Sequence, residues 1–391
     1  MLFIHKTVSL CDHCYKHIPA VVYEDNNQIL MIKKCNQHGE MHSVVEIDTA
    51  FYYDLKHYRD IESFNQILFE ASDRCQLSCP HCYHLPDNKI TDRSIDDIVQ
   101  QLSQFPKDSS PMLAGAEATL RPDFIELCKE INSLGFKKFE LLSNGLRFAN
   151  KQWSKQVFNA GLKTMCLGLN HPSYQGLKIH EKQLHGLRNM IDLGYDIGYV
   201  GYTIEDYDHL PFILNEIKSL HHPQINHYRI RCGSFIGRSS DQQRGYLSKL
   251  VKLVKDILGD DVIAYRSDDN PYHVMLQWNG IILRLIQWPD VTNIDMEELA
   301  TGPWCQFYDG PVSNFVHQVI TRDAFKNMSL PKLDTVPEKY QYRSMSADHH
   351  EYWKDNWIGP VSFNKFDWDL SSIDVVLGHS IIPIKTQLLH N

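Results

Sequence analysis

Three cysteines at the spacing C-x3-C-x2-C, in the run Cys75-Gln76-Leu77-Ser78-Cys79-Pro80-His81-Cys82, constrain this chain more than any other stretch. The run follows the apolar segment Ile67-Leu68-Phe69, so it reads as a loop leaving a strand. Such a loop can wrap three thiolates round one corner of a [4Fe–4S] cube. Iron–sulfur clusters ordinarily take four thiolates. Three from one loop would leave one iron open to a reactive ligand. A zinc loop, or thiols that are merely buried, is the alternative at this point.

Beyond the loop, strand-like and helix-like segments alternate. The strands are read at Met112-Leu113-Ala114, Phe139 to Leu142, Thr164 to Leu167, Ile197 to Val200 and Tyr228-Arg229-Ile230. Between them, Ile95, Ile98, Val99 and Leu102 recur at helical spacing, as do Phe124, Leu127, Cys128 and Ile131. Further helices are read at Trp153 to Phe158, Glu181 to Leu193 and Leu210 to Leu220. With the segment before the cysteines this makes six strand-then-helix units, hence a parallel sheet with right-handed crossovers. Cys128 and Cys166 read as core residues.

A second cysteine pattern precedes the first. Cys11-Asp12-His13-Cys14 and Cys35-Asn36-Gln37-His38 flank two strand-like runs, Val21-Val22-Tyr23 and Ile29 to Ile32. Asp25-Asn26-Asn27 lies between the runs as a turn. The pattern predicts a hairpin carrying a closed tetrahedral site of Cys11, Cys14, Cys35 and His38, suited to structural zinc. A single rubredoxin-like iron is the rival occupant, and His13 the rival fourth ligand. A metal here would replace a core that about forty residues can barely build.

The cysteine spacing, with Tyr83 directly after the third cysteine, resembles the radical S-adenosylmethionine (radical SAM) superfamily over roughly residues 66–235. The resemblance implies a partial, six-stranded (β/α) barrel with chemistry at the carboxyl ends of its strands. It implies one [4Fe–4S] cluster on Cys75, Cys79 and Cys82, with S-adenosylmethionine on the open iron. Gly115-Ala116-Glu117-Ala118 looks like the superfamily's Gly-Gly-Glu-Pro element, which holds the cofactor's ammonium. The second glycine and the proline are absent here; the loop carbonyls that accept the ammonium hydrogens survive both changes. Ser143-Asn144-Gly145 resembles the element near the ribose and carboxylate, and Asn170 is similar to a polar residue that touches the same groups. Arg231 is assigned to a carboxylate or phosphate; Arg229 shares its face of the strand. His171, Thr203 and Glu205 follow the fourth and fifth strands as weaker candidates. The amino-terminal knuckle resembles a subgroup that includes archaeal pterin-methylating enzymes and tetraether lipid synthases. Those read Cys-Pro-Glu-His-Gly where this chain has Cys35-Asn36-Gln37-His38-Gly39.

After the barrel, Tyr246 to Leu258 is amphipathic, and Asn279-Gly280 joins two apolar runs as a hairpin. The stretch from Pro303 to His317 mixes glycine, proline, amide and imidazole, which makes Asn314 and His317 substrate-side candidates. Cys232 and Cys305 remain, Cys232 being the better candidate for a thiol beside substrate. The boundaries expected are residues 1–50 for the metal-binding domain, 51–65 for a linker, 66–240 for the barrel and 241–391 for an extension covering it.

The bulk properties agree. A net charge of −9 argues against a nucleic-acid backbone as partner. No run of about eighteen apolar residues occurs, so no membrane span is expected. Met1 to Leu10 is too short for a signal peptide. Val8-Ser9-Leu10-Cys11 only loosely matches a lipoprotein site and lacks the preceding apolar region. Ten cysteines, several of them in short-spaced groups, suggest metal sites in a reducing compartment, hence the cytoplasm. The expected reaction is hydrogen abstraction from a small-molecule or lipid substrate, with a flavodoxin or ferredoxin as electron donor. The alternatives are a methyltransferase acting on a pterin or other heterocycle, and a zinc-binding scaffold without catalysis.

Overall fold

The computed structural model describes residues 2–14, 17–57, 66–82, 86, 88–89, 91–103, 107, 110–233, 245–259, 262–266 and 273–287, with two short strands at Cys305–Gln306 and Val376–Leu377. Tyr83, Asn314 and His317 lie outside the described residues.

Four strands, β1 (Leu2–Leu10), β2 (His17–Asp25), β3 (Gln28–Cys35) and β4 (Gly39–Glu46), form one antiparallel sheet in sequence order. The hairpin expected from sequence is its centre, with a further strand on each side. At the β2–β3 tip Asn26 and Asn27 take φ of 49° and 61°. Asparagine tolerates this left-handed region, and two such residues make the tight turn whose twist matches paired strands. Ala20, Val22, Ile29 and Met31 alternate onto one face and form a small core with Tyr52. Tyr52 belongs to α1 (Thr49–His57), where a linker was expected to begin. Tyr53 donates to Glu24 at 3.0 Å and Thr49 to Asn27 at 2.7 Å, so α1 packs with the sheet.

The barrel follows the expected alternation. Its elements are β5 (Gln66–Ser72), α2 (Ile95–Leu102), β6 (Ser110–Gly115), α3 (Phe124–Ser133), β7 (Glu140–Ser143), α4 (Lys151–Asn159) and β8 (Thr164–Leu169). The short α5 (Pro172–Gln175), α6 (Leu177–Leu193), β9 (Asp196–Ile204), α7 (Leu210–Leu220) and β10 (Ile225–Cys232) complete it. All six strands are parallel and adjacent in order. After α8 (Leu247–Leu258) and β11 (Ile263–Arg266), the hairpin of β12 (His273–Trp278) and β13 (Ile281–Ile286) lengthens the same sheet. β13 runs parallel to β10, and β12 and β11 follow antiparallel. β5 and β11 are the two edges, so the barrel is partial.

One face of each strand meets the helices. Leu113, Leu141, Leu167, Val200 and Ile230 pack there in one cluster with Ile98, Leu127, Leu187 and Ile213. Cys128 is buried in that cluster, as expected. Cys166 is buried but lies outside it, 3.9 Å from the Glu140 carboxylate. The inner face of the sheet is therefore polar in part, and it is there that the cavity opens.

Candidate active site

A cavity of about 200 Å³ lies at the carboxyl ends of the parallel strands. Its wall includes Cys75, Cys79 and Cys82 from the loop after β5, and Gly115 and Ala116 after β6. Ser143, Asn144 and Asn170 come from the ends of β7 and β8, and Thr203, Arg229 and Arg231 from β9 and β10. With Ile286 of β13, seven strands deliver residues to one place, because a parallel sheet puts every carboxyl end on the same rim.

The sulfurs are met by amide donors. Asn144 Nδ2 lies 3.8 Å from Cys75 Sγ, and Leu77 N donates to the same sulfur at 3.4 Å. Asn170 Nδ2 and Gln175 Nε2 reach Cys79 Sγ at 3.6 and 2.5 Å. Burial pushes the Cys75 thiol up to about 12, against the pull of the Leu77 amide and with the negative charges of Glu117, Cys79 and Cys82 adding to it. Three cysteines on one cavity wall, one of them hard to ionise unaided, suit a cationic centre. The set fits an iron–sulfur cluster, in which the metal deprotonates its thiols and amide hydrogen bonds to sulfur tune it.

Glu117 is fully buried and forms no part of the cavity wall. The expectation that it adds charge toward the cofactor is corrected. Its carboxylate accepts from Thr119 N and Oγ1 at 3.3 and 2.6 Å, from Ser143 Oγ at 2.9 Å and from Asn144 N at 2.8 Å. It ties the end of β6 to the end of β7. Burial pushes its carboxyl up, and these donors oppose the shift. From behind, Gln183 of α6 donates to the carbonyls of Asn144 and Gly168 at 2.8 and 3.1 Å. A Cβ at Gly186 would stand 2.4 Å from the Gly145 carbonyl, so glycine lets α6 reach this loop.

Asn170 is braced in the same way. Its carbonyl accepts from His180 Nδ1 at 2.8 Å, and His180 Nε2 meets Glu216 at 2.6 Å. Tyr202 OH donates to the other Glu216 oxygen at 2.6 Å. Both partners of His180 are acceptors, which favours the doubly protonated ring. Burial opposes that charge, but the hydrogen bond and charge of Glu216 outweigh it and hold the imidazole above its ordinary value. His81, between the second and third cysteines, is the opposite case. Burial and the Arg231 charge bring it down to about 3, against a hydrogen bond to Asn170, so it is neutral. Its Nδ1 is a buried atom with no hydrogen-bond partner among the described residues, on the cavity wall.

Cys232 is corrected as well. Alternation along β10 turns Arg229 and Arg231 inward and Cys232 outward. It lies in the helix-side core, 3.7 Å from Tyr207 OH, and burial pushes its thiol up to about 12. It cannot face a substrate in the cavity. His171 is stacked on His209 at 3.8 Å and bonded to Ser173, off the cavity wall. Residues that sequence reasoning passed over are Gln175, Tyr199 and His81. Of these only His81, set between two candidate ligands, carried a signal.

The amino-terminal centre is separate. Donor atoms of Cys11, Cys14, Cys35 and His38 all lie within 4.8 Å of one another. Cys11 and Cys35 approach His38 Nδ1 at 3.4 and 3.5 Å, and Cys14 and Cys35 are 3.9 Å apart. Burial would raise the Cys35 thiol. Hydrogen bonds from the Gln37 and His38 amides and from the His38 and Cys11 side chains overcome it and bring it to about 6. The donor set fits a tetrahedral metal. Asp12 on the first knuckle is ion-paired to the buried Lys33. His13 is exposed, its ring 5.1 Å from that of His38, and it does not join the set.

Residues 69–217 match the radical SAM superfamily, and residues 3–47 match the HMPTM N-terminal zinc ribbon domain. It is 29% identical over 193 residues to a 7,8-dihydro-6-hydroxymethylpterin dimethyltransferase of Methanocaldococcus jannaschii, covering 41% of this chain and 38% of that protein. It is 28% identical over 140 residues to a GTP 3′,8-cyclase of Mannheimia succiniciproducens, covering 33% and 40%. The matches thus span about two fifths of these relatives' length. Among solved structures, Streptococcus suis SuiB bound to precursor peptide SuiA aligns at 13% identity and a TM-score of 0.41, over 64% of this chain and 69% of that one. That likeness is too low to bear on function. No helix among the described residues is long and apolar enough to cross a membrane.

Proposed function

We propose that this chain is a radical SAM enzyme acting on a small-molecule or lipid substrate. The observation that carries this is the convergence of Cys75, Cys79 and Cys82 with Gly115, Ser143, Asn144 and Asn170 on one cavity. Residues 75, 79 and 82 would hold a [4Fe–4S] cluster, and the Gly115-Ala116 carbonyls would accept the ammonium of S-adenosylmethionine. Bound there, the two groups would supply one chemistry: one-electron reductive cleavage of the sulfonium to methionine and a radical able to take hydrogen from the substrate. The protein orients and protects. Asn144 and Asn170, a donor–acceptor amide each, would meet the cofactor while still touching sulfur. Leu77, Leu142, Leu169 and Ile286 keep water from the reacting atoms. A flavodoxin or ferredoxin would supply the electron, and a reducing compartment such as the cytoplasm suits the free thiols.

The identity to a pterin dimethyltransferase favours a second reading, methylation of a pterin or another heterocycle. Both readings need the cofactor cleaved. The test is anaerobic reconstitution with iron and sulfide, then reduction in the presence of S-adenosylmethionine. Formation of 5′-deoxyadenosine is expected. A fully loaded cluster that yields none would leave the zinc-binding scaffold as the better account.

A further inference from the structure

Among the donors that meet the barrel sulfurs, one stands apart. Asn144 and Asn170 lie on the cavity wall, where they would also meet S-adenosylmethionine, and Leu77 N belongs to the cysteine loop itself. Gln175 is off that wall, yet its Nε2 reaches Cys79 Sγ. Its Oε1 is buried and has no hydrogen-bond partner among the described residues. A buried acceptor left unpaired is destabilising. Turning the amide over would set that oxygen against an anionic sulfur, which repels it, so the nitrogen is the end that faces Cys79. The side chain is thus committed to a sulfur and to nothing in the cavity.

The turn that carries it is held from several sides. Gln175 ends α5, which Pro172 opens with a backbone angle already suited to a helix. The His171 ring accepts from Ser173 N at 3.3 Å, and Gly176 N donates to the Pro172 carbonyl at 2.8 Å. Tyr174 OH accepts from Glu205 N at 3.0 Å and lies 3.1 Å from His209 Nδ1. The Tyr174 ring meets that of His81, inside the cysteine loop, at 5.2 Å. α5 is therefore fixed both to the end of β9 and to the loop that holds Cys79. An amide so placed needs no reorganisation when charge arrives at the sulfur.

Resting on the function proposed above, we propose that Gln175 tunes the cluster: its hydrogen bond to Cys79 raises the reduction potential, and it takes no part in binding S-adenosylmethionine. Reduction moves one electron from a flavodoxin or ferredoxin to the cluster, and no bond breaks in that step. Part of the added charge falls on the ligating sulfurs. A donor there stabilises the reduced state more than the oxidised one, so the electron is accepted more readily.

The test is a redox titration of the reconstituted full-length protein, read by electron paramagnetic resonance of the reduced cluster. Q175L removes the donor and keeps the bulk. It should lower the reduction equilibrium constant roughly tenfold, the order for one hydrogen bond to a charged group, which is about 59 mV for one electron. Q175E, which sets a carboxylate at the sulfur, should lower it at least as far. The dissociation constant of S-adenosylmethionine from the oxidised protein should be unchanged in Q175L. By resonance Raman, the iron–sulfur stretching bands of the unsubstituted protein should shift in heavy water, and Q175L should lose part of that shift. A change of packing alone would leave it. Full iron and sulfide content shows that the barrel has folded, and Q175M, which keeps the length of the side chain, carries the reading if Q175L loads incompletely. A midpoint unchanged or raised in the fully loaded variant overturns the inference. Weaker binding of S-adenosylmethionine with the midpoint unmoved would give the amide to the cofactor and overturn it too. 5′-Deoxyadenosine formation with an unmoved Q175L midpoint sinks this inference alone; a lowered midpoint in a protein that forms no 5′-deoxyadenosine sinks the proposed function alone.

Discussion

The chain holds two groups of closely spaced cysteines, and they differ in closure. At the amino terminus four donors face one another within 4.8 Å, and backbone amides bring a sulfur toward the thiolate. One small cation can satisfy that set, with no position left for a reactant. In the barrel three sulfurs share a cavity wall with loops from other strands, and Cys75 is pushed up to about 12. The cluster proposed for those sulfurs would keep one side toward the cavity. The same residue type thus serves a closed clamp in one place and an open platform in the other. The surroundings decide which: a small sheet that needs a core, or a barrel rim that gathers loops.

The largest effect should come from removing the platform. With Cys75, Cys79 and Cys82 all changed to Ala, the barrel should bind no cluster and form no detectable 5′-deoxyadenosine. The knuckle metal should remain at one per chain by elemental analysis. Zinc without iron in that variant makes the clamp a zinc site; about one iron makes it rubredoxin-like. Loss of both metals together would break the comparison, since the two sites would then not be independent.

The converse change comes next. Cys35→Ser should release the knuckle metal and unfold β1 to β4, because structural metal binding is worth on the order of 10 kcal/mol in small domains. Among the described residues the sheet's main core has only four buried side chains from the sheet and Tyr52 of α1 to set against that loss. Hydrogen exchange over residues 2–57 would show it. Iron content and 5′-deoxyadenosine formation by the barrel should fall far less. Full protection of β3 and β4 without metal would mean that the core suffices and the clamp is dispensable.

A smaller effect tests how the platform is braced. Glu216→Ala leaves the His180 imidazolium buried without its partner, a change that typically costs 3–5 kcal/mol. The strain passes through the Asn170 carbonyl to the amide on Cys79. A lower midpoint of unfolding is expected in urea, together with an altered electron paramagnetic resonance signal of the reduced cluster. Glu216→Gln can still accept from Tyr202 and should restore part of the stability. An unchanged cluster signal would confine the pair to stability alone.

Much of this was legible in the sequence, and the failures have a common cause. The six barrel strands, the Asn279-Gly280 hairpin and the four knuckle ligands all occur where spacing and turn chemistry put them. What spacing could not tell was which face of a strand is which. In β8 both sides of the strand are buried, against helices and toward the sheet's inner face, so hydrophobic alternation does not mark the inner face there. In β10, by contrast, buried Tyr228, Ile230 and Cys232 alternate with Arg229 and Arg231 and do mark it. Cys232 was taken toward substrate although it stands one residue from Arg231, and one residue reverses the face. Cys166 is buried as expected, though on the face that meets Glu140. Glu117 carried a family motif, yet its carboxylate turns to Ser143 and Asn144, some 26 and 27 positions away. The His180–Glu216 pair, 36 positions apart, left no local trace. Contacts of that range exist only once the barrel has brought β6, β7, α6 and α7 together.

The smallest effect sets the two regions against each other in pH. Cys35 has a folded pKa of about 6, below its ordinary value. A depressed group contributes stability that is full above the unfolded pKa and is lost as pH falls through the folded one. Metal binding reinforces this, because protons compete for the sulfur. His180 is raised, so its contribution is full below the unfolded histidine value, about 6.5, and is lost as pH rises through the folded value. The clamp should therefore weaken toward pH 5 while the brace behind Asn170 weakens as pH rises above the unfolded histidine value. Hydrogen exchange corrected for intrinsic rates, followed separately in β3–β4 and in α6–α7 from pH 5 to 8.5, should show the two protections moving in opposite directions. In Glu216→Gln the α6–α7 slope should flatten while that of β3–β4 is unchanged. Parallel slopes in the unsubstituted protein would mean that His180 is neutral in the folded barrel and that its bond to Glu216 is an uncharged one.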